Sequence, residues 1–263
     1  MKKTLFLALI LFPLSLFLSC DNTATTSEQM YYEIRIYGIS QPSQAEAIDN
    51  YLANAFIPAM HRAGISKVGV FKPVEADTVA FGKLIYVFIP YNKAEDYFRI
   101  TGLLENDAVY LEAGKAFLDA PVKTPPFDRY ESIFMKAFSH MPAFKTFTYS
   151  TPPSERIYEL RSYESATEAK ALKKIHMFNE GGEIAIFEKV GSNAVFYGQV
   201  LFGSLKPRLM YMTTYADMKS HDEHWNAFRN HPDWLELKAR LEYASTTSKT
   251  AAFLCHPTDY SDF

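Results

Sequence analysis

The chain has 263 residues, 48% of them hydrophobic and 22% charged, with a formal net charge of −3. No basic block or arginine-rich stripe runs through it, which excludes nucleic acid as an expected partner. Its two cysteines are Cys20 and Cys255. Since Cys20 is claimed below by a lipid, no internal disulfide is available, and stability must come from burial in two modest cores or one large one.

The N-terminus reads as a secretory leader. Met1-Lys2-Lys3 is a basic start, Thr4 to Leu18 is an apolar run too short for a spanning helix, and Ser19-Cys20 closes it. Phe17-Leu18-Ser19-Cys20 resembles a bacterial lipobox, with Phe17 where leucine is usual and Leu16 beside it. Residues 1–19 are thus expected to be a signal peptide and Cys20 the acylated first residue of the mature chain. Residues 20–30 form a polar tether, and the protein is an exported, membrane-anchored lipoprotein of the bacterial cell envelope. The competing reading is ordinary secretion with an incidental cysteine. Without Lys2 and Lys3, 25 basic residues face 30 acidic ones, a net charge of −5.

From Tyr31 the sequence reads YYEIRIYGI, and from Ile157 it reads IYELRSYES, so that Tyr-Glu-(Ile/Leu)-Arg-x-Tyr occurs twice, 126 positions apart. Each copy is followed by a helical stretch ending in glycine: Ser43 to Ala63 then Gly64, and Thr167 to Val190 then Gly191. Strands rich in β-branched and aromatic residues come next, Val68–Phe71 and Leu84–Phe88 in the first half, Val195–Gly198 and Leu209–Thr213 in the second. A second helix follows in each half. Asn92 with Glu95 is a candidate capping pair in the first; in the second, Asp217 or Ser220 opens the helix and Pro232 breaks or restarts it. Closing strands are expected near Ser132–Phe138 and Thr250–Cys255, with a linker over Ser150 to Glu155 that contains Pro152-Pro153.

The order β-α-β-β-α-β, twice, predicts an α+β protein of two tandem ferredoxin-like domains, residues 31–142 and 155–263. Each four-stranded sheet carries helices on one face and leaves the other uncovered. Packing the two sheets against each other inside one chain satisfies both, as an intrachain dimeric α/β barrel; further oligomerisation stays open.

The two YE(I/L)RxY strands, the run FNEGGEIAIFEKVGSNAVFYGQVLFGSLKPRLMYMTTYADM (178–218), the stretch HWNAFRNHPDW (224–234) and the tail HPTDYSDF (256–263) resemble the NIPSNAP family of the dimeric α/β-barrel superfamily. The second half carries most of this resemblance. It implies the barrel fold, and it brings no catalytic signature and no cofactor with it.

Strand periodicity puts Glu33, Arg35 and Tyr37 on one face and Tyr32, Ile34 and Ile36 on the other; Glu159, Arg161 and Tyr163 repeat the pattern. The apolar face is expected to meet the helices, leaving the Glu/Arg/Tyr face to line the space between the sheets. Tyr197, Gln199, Tyr211, Thr213 and Tyr215 continue that face in the second half, opposite Val70, Lys72, Tyr86, Phe88 and Pro90 in the first. The paired Glu and Arg residues suit an anionic or carbonyl-bearing small molecule; the competing reading makes them structural ion pairs and the tyrosines ordinary core. His221 and His224 with Asp217 have the spacing of a metal site, yet the surrounding polar residues and the lack of a fourth ligand favour a solvated helix face, and no metal is expected. His231-Pro232-Asp233-Trp234 reads as a capped helix restart with Trp234 buried. Three functions stay open: a lipid-anchored binder of a small apolar or aromatic ligand between the sheets, a cofactor-independent or haem-using, monooxygenase-like oxidoreductase, or an envelope interaction scaffold.

Overall fold

The computed structural model describes residues 28–263. The expected leader, the acylated Cys20 and the tether through residue 27 lie outside the described residues. Gln29 and Met30, expected in the tether, are already tied down: Met30 N donates to Pro142 O at 2.8 Å and Ala137 N to Met30 O at 2.9 Å.

In the first half, β1 (Tyr31–Gly38), β2 (Gly69–Pro73), β3 (Leu84–Tyr91) and β4 (Arg129–Ala137) form an antiparallel sheet in the order β4-β1-β3-β2. The second half repeats it with β5 (Ile157–Glu164), β6 (Asn193–Phe202), β7 (Arg208–Tyr215) and β8 (Lys249–Pro257), in the order β8-β5-β7-β6. Both repeated motifs occupy a central strand. The central position demands side chains that are buried on both faces, and β7, between β5 and β6, is buried along its entire length.

The two sheets join edge to edge. β4 pairs with β6, from Met135 opposite Val200 to Ala137 opposite Gly198, and β2 pairs with β8 through Phe71, Lys72 and Pro73. Eight strands thereby close into one barrel with no open edge. At the first seam Gly198 is needed for close approach, because a Cβ there would lie 3.0 Å from the Met135 Cβ. The second seam is short, and the C-terminal tail extends it: Thr258 N donates to Val70 O at 3.0 Å, Asp262 N to Val68 O at 3.1 Å, and the Asp262 carboxylate accepts from Val68 N at 2.7 Å. The tail ends with the Phe263 ring against Phe71, Phe88 and Phe144 at one end of the barrel.

Helices cover the outside. α1 (Pro42–Tyr51) runs through a π-helical turn at Leu52–Phe56 into α2 (Ile57–Arg62), which stops at Gly64 with φ 96. The single helix expected over Thr167 to Val190 is two, α5 (Glu168–Phe178) and α6 (Glu183–Lys189). Gly181-Gly182 turns the chain between them: Gly182 has φ 91, and a Cβ on Gly181 would meet Met177 O at 2.5 Å. Each second helix is likewise a pair, α3 (Glu95–Leu104) with α4 (Ala108–Leu118), and α7 (Met218–Asn230) with α8 (Pro232–Ala239). Asp217 caps α7, accepting from Ser220 N at 2.7 Å, and His231 Nδ1 accepts from Asp233 N where Pro232 restarts the helix. The Asn92–Glu95 cap does not form; Asp96 accepts from Lys93 N at 3.1 Å instead.

One expectation is inverted. Inside the barrel are Tyr32, Ile34, Phe71, Tyr86, Phe88, Tyr158, Leu160, Phe196 and Met212, all buried and packed together. The Glu/Arg/Tyr face points outward, beneath the helices. A closed eight-stranded barrel encloses the driest volume of the molecule, where a charge finds neither water nor helix-borne donors, so the apolar set goes inside. Each fully buried phenylalanine there contributes about 1.5–3 kcal/mol.

Since each half supplies the other's edge partners, residues 150–263 alone should self-associate or aggregate through β6, β8 and their exposed inner face. Sedimentation velocity checks this; a monodisperse monomer would contradict the dependence of each sheet on its neighbour.

Candidate functional site

Beneath the first helix layer, Glu33 is 1% exposed and fully paired. Arg35 donates to it from Nε at 2.8 Å and from Nη2 at 3.2 Å, Tyr91 from its hydroxyl at 2.9 Å, and Ser132 from Oγ at 2.7 Å. The i, i+2 spacing on β1 brings acid and base to one face, and Tyr91 and Ser132 reach in from the flanking strands β3 and β4. Burial raises the Glu33 carboxyl, but the Arg35 charge and the four hydrogen bonds more than offset it, and the group is held below the usual carboxylate range. Phe56 covers the guanidinium at 4.9 Å.

Arg35 also lines a cleft of about 380 Å³ between the sheet and α1 and α4. Its walls include Tyr37, Tyr51, Tyr110, Phe127 and Tyr130, with Val122 at the rim. Tyr51 and Tyr110 share a hydroxyl–hydroxyl bond of 2.8 Å. Two Arg35 nitrogens are committed to Glu33, Tyr37 lies in hydrogen-bonding reach of the guanidinium, and the arginine lines a cleft whose walls mix aromatic rings with proline and aliphatic side chains.

The second half has the same ion pair under a cover of different side chains. Glu159, 3% exposed, accepts from Arg161 Nη1 at 2.6 Å, from the Trp225 indole and from His221 Nε2 at 3.3 Å. Trp225 lies over the Arg161 guanidinium at 4.5 Å, and Arg161 Nε is buried without a partner. Burial raises the Glu159 carboxyl, but His221 and Arg161 pull it below its ordinary value. Burial lowers the His221 imidazole, but Glu159 and Asp222 outweigh this and raise it overall. Nearby, Lys174 bonds Glu183 at 2.7 Å in a second buried pair, where burial pushes the Glu183 carboxyl up and Lys174 offsets it in part.

Of the ten residues singled out from sequence, Glu33, Arg35 and Tyr37 come together in the first half, and Glu159, Arg161, Tyr163, Tyr197, Tyr211 and Thr213 in the second. All nine lie between sheet and helices instead of between the sheets. Tyr163 and Tyr211 share a hydroxyl bond of 2.9 Å, Thr213 accepts from Tyr215, and the Tyr197 hydroxyl is buried without a partner. Gln199 is elsewhere, lining a polar cleft of about 280 Å³ with Lys136 and His176. Tyr86 and Phe88, aligned with them from sequence, face the barrel interior. His221 turns to Glu159, His224 lies against Tyr215 and Gly191, and Asp217 is a helix cap. Trp234 is half-buried against Phe228, 4.7 Å away.

Sequence reasoning missed Tyr91, Ser132, Trp225, Lys174 and Glu183 as partners. A signal existed for Lys174: it interrupts the buried stripe Ala171, Lys174, Met177, Phe178 of α5, and a lysine in such a stripe requires an acid.

Arg161→Met keeps aliphatic volume and strips Glu159 of its nearest cation. The expected loss at pH 8 is about 3–5 kcal/mol, as for breaking a buried pair. His221 has a folded pKa above its unfolded value near 6.5, so its pairing stabilises fully below about pH 6.5 and is lost as pH rises through the folded value. The variant should therefore be damaged less at pH 6 than at pH 8. Urea unfolding at both pH values checks this, and a loss under about 1 kcal/mol at pH 8 would mean that Glu159 does not depend on Arg161.

Three solved structures share the barrel across both halves of the chain. A protein from Lactobacillus acidophilus named as a "putative monooxygenase" superposes with TM-score 0.55 at 13% identity, over 88% of this chain and 94% of its own. A Fusobacterium nucleatum protein of the same name gives TM-score 0.53 at 7% identity, over 88% and 93%. An anthrone oxidase-like protein gives 0.51 at 10% identity, over 89% and 93%. At these identities the likeness establishes the shared barrel fold. No curated protein matches the chain. Residues 158–262, which contain the second ion pair and its helical cover, match the NIPSNAP family model.

Proposed function

We propose that the protein is a lipid-anchored cell-envelope barrel that binds a small aromatic acid or aromatic carbonyl compound in the Arg35 cleft. The observation that carries this reading is the placing of Arg35: it is held by Glu33 through two nitrogens and lines a cleft whose size and tyrosine-rich walls suit a single small molecule. Planar donors on Arg35 match a carboxylate or carbonyl oxygen, and the rings of Tyr37, Phe127 and Tyr130 suit the aromatic body. The barrel interior is packed with aromatic and aliphatic side chains, which favours the space beneath the helices for a ligand.

The second half supports the fold more than the binding. There Trp225 occupies the space over Arg161 and uses its indole N–H on Glu159. A second reading, oxygen-dependent oxidation of the same bound ring, is suggested by the names of the barrel relatives; oxygen uptake on ligand addition would distinguish it from binding alone.

Native mass spectrometry of the purified protein should reveal a retained small molecule or saturable uptake of 1-naphthoate. Val122 is 95% exposed and Tyr130 lies half in solvent, so Val122→Asp and Tyr130→Ala should leave the fold intact and weaken uptake at least tenfold. Unchanged uptake in both variants would remove the ligand from this cleft, and no uptake at all would favour a scaffold.

Membrane attachment is proposed on the leader and Cys20, since no helix of the described residues is long and apolar enough to cross a membrane. Cys20→Ala should abolish membrane association in fractionated cells. A variant that still pellets with membranes after a high-salt wash would overturn the lipid anchor.

A further inference from the structure

We propose a second binding site, on the outer face of the β4–β6 seam, for flat aromatic molecules that carry a hydrogen-bond donor such as a phenolic hydroxyl. A cleft of about 580 Å³ lies there between α3 and strands β1, β4 and β6, walled by Tyr31, Tyr97, Phe98, Phe134 and Phe202. It shares no residue with the Arg35 cleft.

The walls favour a planar ring. Tyr31 stacks on Phe134 with centroids 5.7 Å apart, Tyr97 meets Phe134 edge-on at 5.6 Å, and Phe202 lies 6.5 Å from Phe134. Phe98 and Phe202 are 75% and 70% exposed although each faces this cleft. Two exposed phenylalanine rings framing a concavity are a feature of recognition sites, because the apolar area gains most when a ligand covers it from within.

The floor determines the polar chemistry. Ser132 lines the cleft beside the Tyr97 hydroxyl, and its Oγ donates its one proton to Glu33 Oε1 at 2.7 Å. Glu33 is ionised by its pairing with Arg35, so it holds that proton as an acceptor only. The serine oxygen therefore offers the cleft lone pairs and no hydrogen. A ligand group meeting it must donate, which selects a hydroxyl over an ether or a carboxylate.

Equilibrium dialysis of the full chain with 1-naphthol and with 1-methoxynaphthalene, nearly the same shape without the donor, tests the site. Saturable binding of 1-naphthol at least tenfold tighter than of 1-methoxynaphthalene is expected. Phe98→Ser, an exposed position, should weaken 1-naphthol at least tenfold, Ser132→Ala should abolish the preference for the hydroxyl, and Leu241→Ser, an exposed position in neither cleft, should change nothing. Absence of saturable binding, equal affinity for the two probes, indifference to Phe98→Ser, or a loss with Leu241→Ser matching that of Phe98→Ser would each overturn the proposal.

Discussion

Edge closure is the constraint from which the rest of the architecture follows. A four-stranded sheet with helices on one side has two faults, an apolar face open to water and two edges with unpaired backbone groups. Joining β4 to β6 and β2 to β8 removes both together, because the strands that complete the ladders also bring the two apolar faces into contact. The shorter seam at β2 and β8 contains Pro73 and Pro257, which donate no backbone hydrogen, and it is where the tail through Asp262 and Phe263 adds its bonds and its ring. The sequence duplication and the sealed barrel are therefore one fact expressed at two levels.

Closure also dictates where charge can be placed. Once the inner faces meet, the space between them holds aromatic and aliphatic side chains, with the Tyr32 and Tyr86 hydroxyls buried among them without partners, and the Glu-x-Arg pairs lie outward under the helices. There each carboxylate collects three or four hydrogen-bond donors, which is what a buried carboxylate requires. The outward placement has a functional consequence, since helices can be splayed, shortened or re-angled over a sheet without breaking the barrel. Clefts can form and differ between the halves there, whereas a cavity inside the barrel would weaken the packing that holds the halves together.

Element order was legible in the sequence because it depends on local pattern: period-two strands, long helical runs and the glycine stops at Gly64 and Gly191, both observed at positive φ. Which face of β1 points inward was not. Tyr32, Ile34 and Ile36 differ from Glu33, Arg35 and Tyr37 in polarity, but a helix layer and a facing sheet both demand burial, and period alone cannot tell them apart. The decisive fact is nonlocal, namely that the partners of Glu159 come from α7, about sixty residues on. The break at Gly181-Gly182 was written in the sequence as a Gly-Gly pair and passed over because the apolar pattern on either side continues in helical phase.

The two ion pairs are satisfied by different elements in the two halves. In the first half the donors to Glu33 come from strands, Tyr91 on β3 and Ser132 on β4, so the carboxylate is satisfied from within the sheet and the helices above need not approach it. Tyr215 occupies the place of Tyr91 in the second half, but its hydroxyl goes to Thr213, and Glu159 takes its extra donors from the α7 side chains His221 and Trp225. That choice draws α7 down until Trp225 covers Arg161, with Phe187 and Phe228 packed behind it. In both halves an aromatic ring from the helical layer lies over the guanidinium, Phe56 over Arg35 and Trp225 over Arg161, but only Trp225 also bonds the carboxylate. Two strand side chains, Tyr91 and Ser132, thus separate a half whose carboxylate is satisfied from within the sheet from a half whose carboxylate draws on a helix.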